Sequence, residues 1–169
     1  MQLADVLTIY DYNYWANQRI LEAADRVSQD QLLAPASFPW GGLQGTLAHI
    51  LDAEYGWRTF FQQHKFPPDE LKGTDFVSLE DLEERWGKEE ALMRDYLDSL
   101  DDAAISEIVR YHNEEGVLRE RLLWHCLYHV VNHGTQHRAE AAALLTDLGQ
   151  SPGDMDFTMF LTDTGRPLT

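Results

Sequence analysis

The sequence predicts an all-α protein: a four-helix bundle with one long crossover and a short hairpin before the last helix. Three observations carry that expectation. Apolar residues recur every three to four positions in four long segments, the signature of amphipathic helices. Clusters of proline and glycine punctuate the chain between them. The 169 residues, 44% hydrophobic and 11% aromatic, suffice for one core without disulfide staples. The expected unit is a single domain over residues 1–169.

The first helix is expected over about residues 2–27, where Leu3, Val6, Leu7, Tyr10, Tyr14, Ile20, Leu21 and Ala24 form one stripe. Tyr10, Tyr12, Tyr14 and Trp15 read as packing residues. Pro35, Pro39, Gly41 and Gly42 then break the chain. The second helix runs from about Leu43 to Gln63, ahead of Pro67 and Pro68. Its apolar side carries Leu43, Leu47, Ile50, Leu51, Trp57 and Phe61, with Glu54 as the odd member. An ion pair to Arg58, one turn on, is the favoured reading of Glu54. The competing ones are an acceptor behind a site and a catalytic base.

The third helix starts at Ser78, which with Asp81 has the spacing of a capping box. Leu79, Leu82, Trp86, Leu92, Met93, Tyr96, Leu97 and Leu100 continue the period as far as Asp101-Asp102. Residues 104–118 centre on His112-Asn113-Glu114-Glu115-Gly116, a turn-rich run between short apolar stretches. They read as a short hairpin or a structured loop. The fourth helix spans about Arg119 to Leu148 and ends at Gly149. At that length it would reach roughly 45 Å, so a bend or a later start is open. The tail, Asp154 to Leu161, is expected to dock as a short helix or cap.

Thirteen Lys and Arg against 29 Asp and Glu give a formal net charge of −16. That excess disfavours nucleic acid and anionic membrane surfaces, which need a basic footprint. The acidic runs at 80–90 and 98–102 read as a solvated face. The single Cys126 excludes an internal disulfide and any multi-cysteine metal site, and reads as a small buried residue. The first residues lack the basic start and apolar run of a signal peptide, and no stretch has the roughly 18 apolar residues of a membrane span. A cytoplasmic chain without a membrane partner is the expectation.

Four of the seven histidines, His125, His129, His133 and His137, stand four residues apart. On a helix each lies about 6 Å above the last and drifts about 40° around the axis. Imidazole binds metals while neutral, and an i, i+4 pair can share one ion. His129 and His137 are about 12 Å apart along the axis, too far to share one. A site therefore takes at most two neighbouring rungs and needs a third ligand from another helix. His49, among the core residues Leu47, Ile50 and Leu51, is the best donor. The bland reading of His125 and His129 is packing, or a hydrogen bond that fixes a ligand's tautomer. His64 and His112 read as solvated.

The run His129-Val-Val-Asn-His133-Gly-Thr-Gln-His137-Arg138 resembles the signature of the DinB-like (DinB/YfiT) superfamily of four-helix-bundle metal-binding proteins. Tyr14-Trp15-Ala16-Asn17 with Ile20-Leu21 is similar to that family's first helix, and Leu47-Ala48-His49-Ile50 to its second. Gly149, Pro152 and Asp156-Phe157 are similar to its tail, so the resemblance covers nearly the whole chain. It implies the metal ligands His49, His133 and His137, with nickel or zinc as the usual ion and iron within range. The family often continues Arg-Gly-Gln after the last histidine; this chain has Arg138-Ala139-Glu140. Neither change removes a ligand.

The resemblance further implies a divalent-metal-dependent enzyme: a thiol-dependent transferase in which the ion activates a low-molecular-weight thiol toward a small-molecule substrate. A homodimer is implied on the same footing. Three histidine ligands leave positions open on an ion, as catalytic sites do. A metal-dependent hydrolase and a non-catalytic metal-binding stress-response module are the alternatives. Arg138 reads equally as a basic group in the pocket and as a structural ion-pair partner.

Overall fold

The apolar stripes can leave water only by facing one another, and a computed structural model describing residues 1–113 and 115–166 shows how they do so. The ends of the expected 1–169 domain at 167–169, and Glu114 in the expected turn, lie outside the described residues. Helix α1 spans Leu3–Ala24. The Asp5 carboxylate accepts the Gln2 backbone N–H at 2.8 Å and satisfies one donor of its first turn. A short helix that periodicity does not foretell, α2 at Gln29–Leu32, follows a capping box formed by Ser28 and Gln31.

Helix α3 covers Leu43–Gln63, as expected, and stops at His64, whose φ of 55° is left-handed. Helix α4 covers Leu79–Asp98. Ser78 Oγ accepts the Asp81 N–H at 3.2 Å, but the Asp81 carboxylate reaches back to the Val77 N–H, one residue before the box would place it.

The hairpin forms. Strand β1, Ile108–His112, pairs antiparallel with β2, Leu118–Leu122, in the register Ile108 to Leu122 and His112 to Leu118. Residues 119–122 are therefore strand, and the last long helix, α5, starts at Leu123 rather than Arg119 and ends at Asp147. The tail forms α6, Phe157–Asp163, whose Phe157 and Phe160 pack on Tyr12 of α1. Among the described residues no helix is long and apolar enough to cross a membrane.

Helix α5 packs on α3 and α1, and α4 closes the bundle against α3. The core has two apolar layers. One contains Tyr10, Phe60, Met93, Leu97, Leu127 and Val130; the other contains Ile20, Leu47, Leu51, Leu82, Trp86 and Leu145. Buried polar groups lie between these layers along every long helix.

The expected Glu54–Arg58 ion pair is absent. Glu54 Oε1 instead accepts from Asn13 Nδ2 at 2.7 Å and Asn17 Nδ2 at 2.9 Å, and Oε2 accepts from Trp86 Nε1 at 2.9 Å. Interior donors satisfy the carboxylate, so the guanidinium of Arg58 is free to reach across to α4. There it pairs with Glu89, which Arg85 also contacts. The two asparagines turn their Oδ1 atoms to Arg138 Nη1, at 2.6 and 2.8 Å, and Arg138 Nη2 donates to Thr135 Oγ1 at 2.9 Å. Arg138 fits only because residue 134 is glycine: a Cβ there would stand 2.8 Å from its Nη1.

Removing the carboxylate strands three buried donors and leaves Arg138 uncompensated. Glu54→Ala is expected to cost roughly 3–5 kcal/mol, measured by urea unfolding followed by circular dichroism. A loss below about 1 kcal/mol, no more than a typical net hydrogen bond, would contradict this account of the polar layer.

Candidate metal centre

His49 lies two turns into α3, and His133 and His137 lie on the part of α5 that crosses it. The crossing brings the three rings together, with centroids 4.8 Å apart for His49–His133, 4.6 Å for His49–His137 and 4.4 Å for His133–His137. One nitrogen from each lies within 4.8 Å of the others. The Nε2 atoms of His49 and His133 are 3.0 Å apart. Two nitrogens each about 2.1 Å from one ion stand about 3.0 Å apart at a right angle and about 3.4 Å apart at the tetrahedral angle. The donor set is chemically suited as well, since imidazole serves zinc, nickel and iron alike.

The surroundings favour ligation in two ways. Burial pulls His49 down to about 4 and His133 down to about 3, each helped by the neighbouring histidines. Both rings are therefore neutral at pH 7, the form that offers a lone pair. His137 Nδ1–H donates to Glu140 Oε2 at 2.8 Å, which fixes the tautomer and leaves Nε2 as the free donor. So the acid at position 140, a departure from the family pattern, supports the last histidine directly. His133 Nδ1 is buried with no hydrogen-bond partner among the described residues.

The other histidines stand apart. His129 is exposed and turns its ring edge to Trp57, 5.3 Å between centroids, while His125 is exposed beside Trp124. His64 and His112 are exposed, as expected. Cys126 is buried, and burial pushes its thiol up to about 11, an inert packing residue. Arg138 is only 2% exposed and belongs to the polar layer, so it contributes no charge to an open pocket.

Sequence reasoning did not single out Trp40. Its indole stacks on His49, with centroids 3.5 Å apart and planes 15° apart. Both residues line an open cavity of about 810 Å³, which Gln44, Asp52, Leu71, Lys72 and Phe76 also border. The proline and glycine cluster around Trp40 signalled only a chain break. What such a loop covers depends on long-range packing.

The DinB family model matches residues 1–167. Protein DinB of Bacillus subtilis (strain 168) is 23% identical over 169 residues, an alignment that covers 94% of this chain and 95% of that protein.

The depressed histidines link stability to pH. A free imidazole titrates near 6.5, so below that pH the unfolded chain takes up protons at His49 and His133. The folded chain resists until about 4 and about 3. Because the unfolded state binds more protons in that window, metal-free protein loses stability as the pH falls from about 6.5 toward 4. Calorimetry of chelator-treated protein should show this fall in Tm, and the double variant His49→Gln, His133→Gln should show a shallower one. Equal slopes would contradict the assignment.

Proposed function

The chain belongs to the DinB family, and from that premise we propose that it is a metal-dependent enzyme whose three-histidine centre holds a divalent transition metal, zinc or nickel, and activates a small thiol for transfer to a small-molecule substrate. One observation supports the reading above all: three imidazoles from two crossing helices converge beside an open cavity. Two of them are held neutral by burial. A closed structural site would use a fourth protein ligand, and among the described residues no fourth histidine, cysteine or carboxylate joins the cluster.

His49, His133 and His137 would hold the ion. When bound, it lowers the pKa of a coordinated thiol and so supplies a nucleophile at neutral pH. The chain's own residues do the rest. Glu140 keeps the proton of His137 on Nδ1 and so presents Nε2. The α3–α5 crossing fixes the distance between the His49 ring and the other two. The cavity beside His49 gives the second reactant room, with Lys72 as its cationic wall residue and Asp52 and Glu70 as acidic ones. The family resemblance alone supports a homodimer as the working form, and the sequence's lack of a signal-peptide pattern supports a cytoplasmic one.

Hydrolysis is the weaker reading because the carboxylates of the centre and its surroundings are engaged. Glu140 is bonded to His137, and Glu54 is closed inside the polar layer. Asp52, which lines the cavity with His49, is committed to the Leu71 N–H at 2.6 Å.

Metal content measured by plasma mass spectrometry on tag-free protein should give about one equivalent, the stoichiometry of one mononuclear site. His49→Ala and His137→Ala should each lose it. Cobalt-loaded protein titrated with 2-mercaptoethanol should then develop a thiolate-to-metal charge-transfer band. Metal-free wild type that also refuses zinc and nickel would overturn the whole reading. Metal binding without a band for any small thiol, and without turnover of thiol conjugates, would leave a non-catalytic metal-binding module.

A further inference from the structure

Each metal-binding imidazole needs something to hold its ring in one orientation, normally a hydrogen bond from its second nitrogen. His137 has Glu140 for this. His49 has no such partner: its hydrogen-bond contact among the described residues is the Nε2 of His133, inside the cluster itself. It has an indole instead. Trp40 lies flat on the His49 ring and meets His137 edge-on, with centroids 6.2 Å apart and planes 80° apart.

We propose that Trp40 is a positioning residue of the metal centre: its stacked indole stands in for the missing hydrogen bond of His49 and locks that ring toward His133 and His137. The inference rests on the metal-centre reading. It goes beyond that reading because Trp40 supplies no ligand atom.

The backbone around Trp40 is shaped to deliver it. The loop is pinned by the Ala36 N–H donating to Gly41 O at 2.8 Å and by a bridge between Pro35 and Gly42. Gly42 has a φ of +157°, and a Cβ there would stand 2.5 Å from Ala34 O. Gly45, in the first turn of α3, is tighter still: a Cβ would fall 1.9 Å from Trp40 O. The carbonyl of Trp40 thus rests on the first turn of the very helix that carries His49, one turn before it. A bare backbone at 45 is the condition for that seat. Trp40 is meanwhile 44% exposed, so its burial adds little to the core. A large aromatic residue held this firmly, yet left half in water, is placed for its contact with His49.

The stack leaves a mark that a merely structural residue would not. Cobalt-loaded wild type, Trp40→Phe and Trp40→Ala are compared by visible d–d absorption and by competition with a chromophoric chelator. Trp40→Ala is expected to lose about 10-fold or more in metal affinity, the usual effect of removing a residue that orients a ligand, and to shift the d–d bands. Its Tm in the metal-free state should stay close to wild type. Trp40→Phe, which keeps a flat ring, should recover most of the affinity and the band positions. Gly45→Ala, which removes neither a ligand nor the indole, should reproduce the Trp40→Ala spectrum by unseating the loop. Trp40→Ala that binds as tightly as wild type with unchanged bands would overturn the proposal while leaving the metal centre standing. Wild type that takes up no metal would remove both.

Discussion

Glu54 accepts hydrogen bonds from Asn13 and Asn17 on α1 and from Trp86 on α4, and the same asparagines hold Arg138 on α5. One buried carboxylate therefore ties all four long helices together. A charge taken out of water without such partners costs several kcal/mol. Apolar layers tolerate sliding, but this layer does not: a shift of one helical turn, about 5.4 Å, would withdraw every donor. The triad inherits its geometry from this constraint. Glu54 follows His49 by five residues, about 7.5 Å of helix, and Arg138 is the residue after His137. The polar layer thus fixes the relative height of α3 and α5 at the place where the three imidazoles must meet. Gly134, between His133 and the arginine, is the concession that lets Arg138 fold back into the layer.

Most of the bundle was legible because helix periodicity is local. The bounds of α3, and the Ser78 start of α4, follow from residues within a turn of each end. Where a long-range partner decided the outcome, local rules failed. Glu54 lies within one turn of Arg58, and an i, i+4 pair was the natural expectation, yet its donors come from residues 13, 17 and 86. Arg119 to Leu122 carry no strong strand signal, and pairing with β1 alone makes them strand. The choice of His133 and His137 to stand with His49 came from the family resemblance, because the spacing left two neighbouring rungs of the ladder undecided; the fold brings these three rings together. Trp40 was missed because stacking across a loop leaves no periodic trace.

The three histidines share one cluster, but each has a different environment. His137 leans on a carboxylate, His49 on an aromatic face, and His133 has its Nδ1 unpartnered. An acceptor raises the basicity of the ring it bonds, whereas a stacked indole restrains orientation without adding negative charge. The difference suits a crowded centre. Two rings are already driven to low pKa by burial and by one another. One carboxylate beside His137 brings a counter-charge for an incoming cation, and a second beside His49 would favour its protonation and so compete with the metal. Glu140 fits this division of labour, since a full charge accepts the Nδ1 proton more strongly than an amide oxygen would.

The length of the histidine ladder does not set how many rings converge; the crossing helix does. Four-residue steps advance the ladder about 40° each, so from His137 the rungs move steadily away from His49. His133 still faces His49. The next rung, His129, has its ring centroid 5.9 Å from that of His133 and has rotated to the edge of Trp57, and His125 has moved on to Trp124. Desolvation lowers the pKa of His129 as well, yet what α3 turns toward it is the Trp57 indole, and among the described residues no metal-binding group of α3 clusters with it. A second site higher on the ladder would need its own donor from α3, and the requirement that Glu54 reach Asn13 and Asn17 has already set which face of α3 points where. The carboxylate that holds the bundle in register thereby also confines the histidine cluster to the two rungs opposite His49.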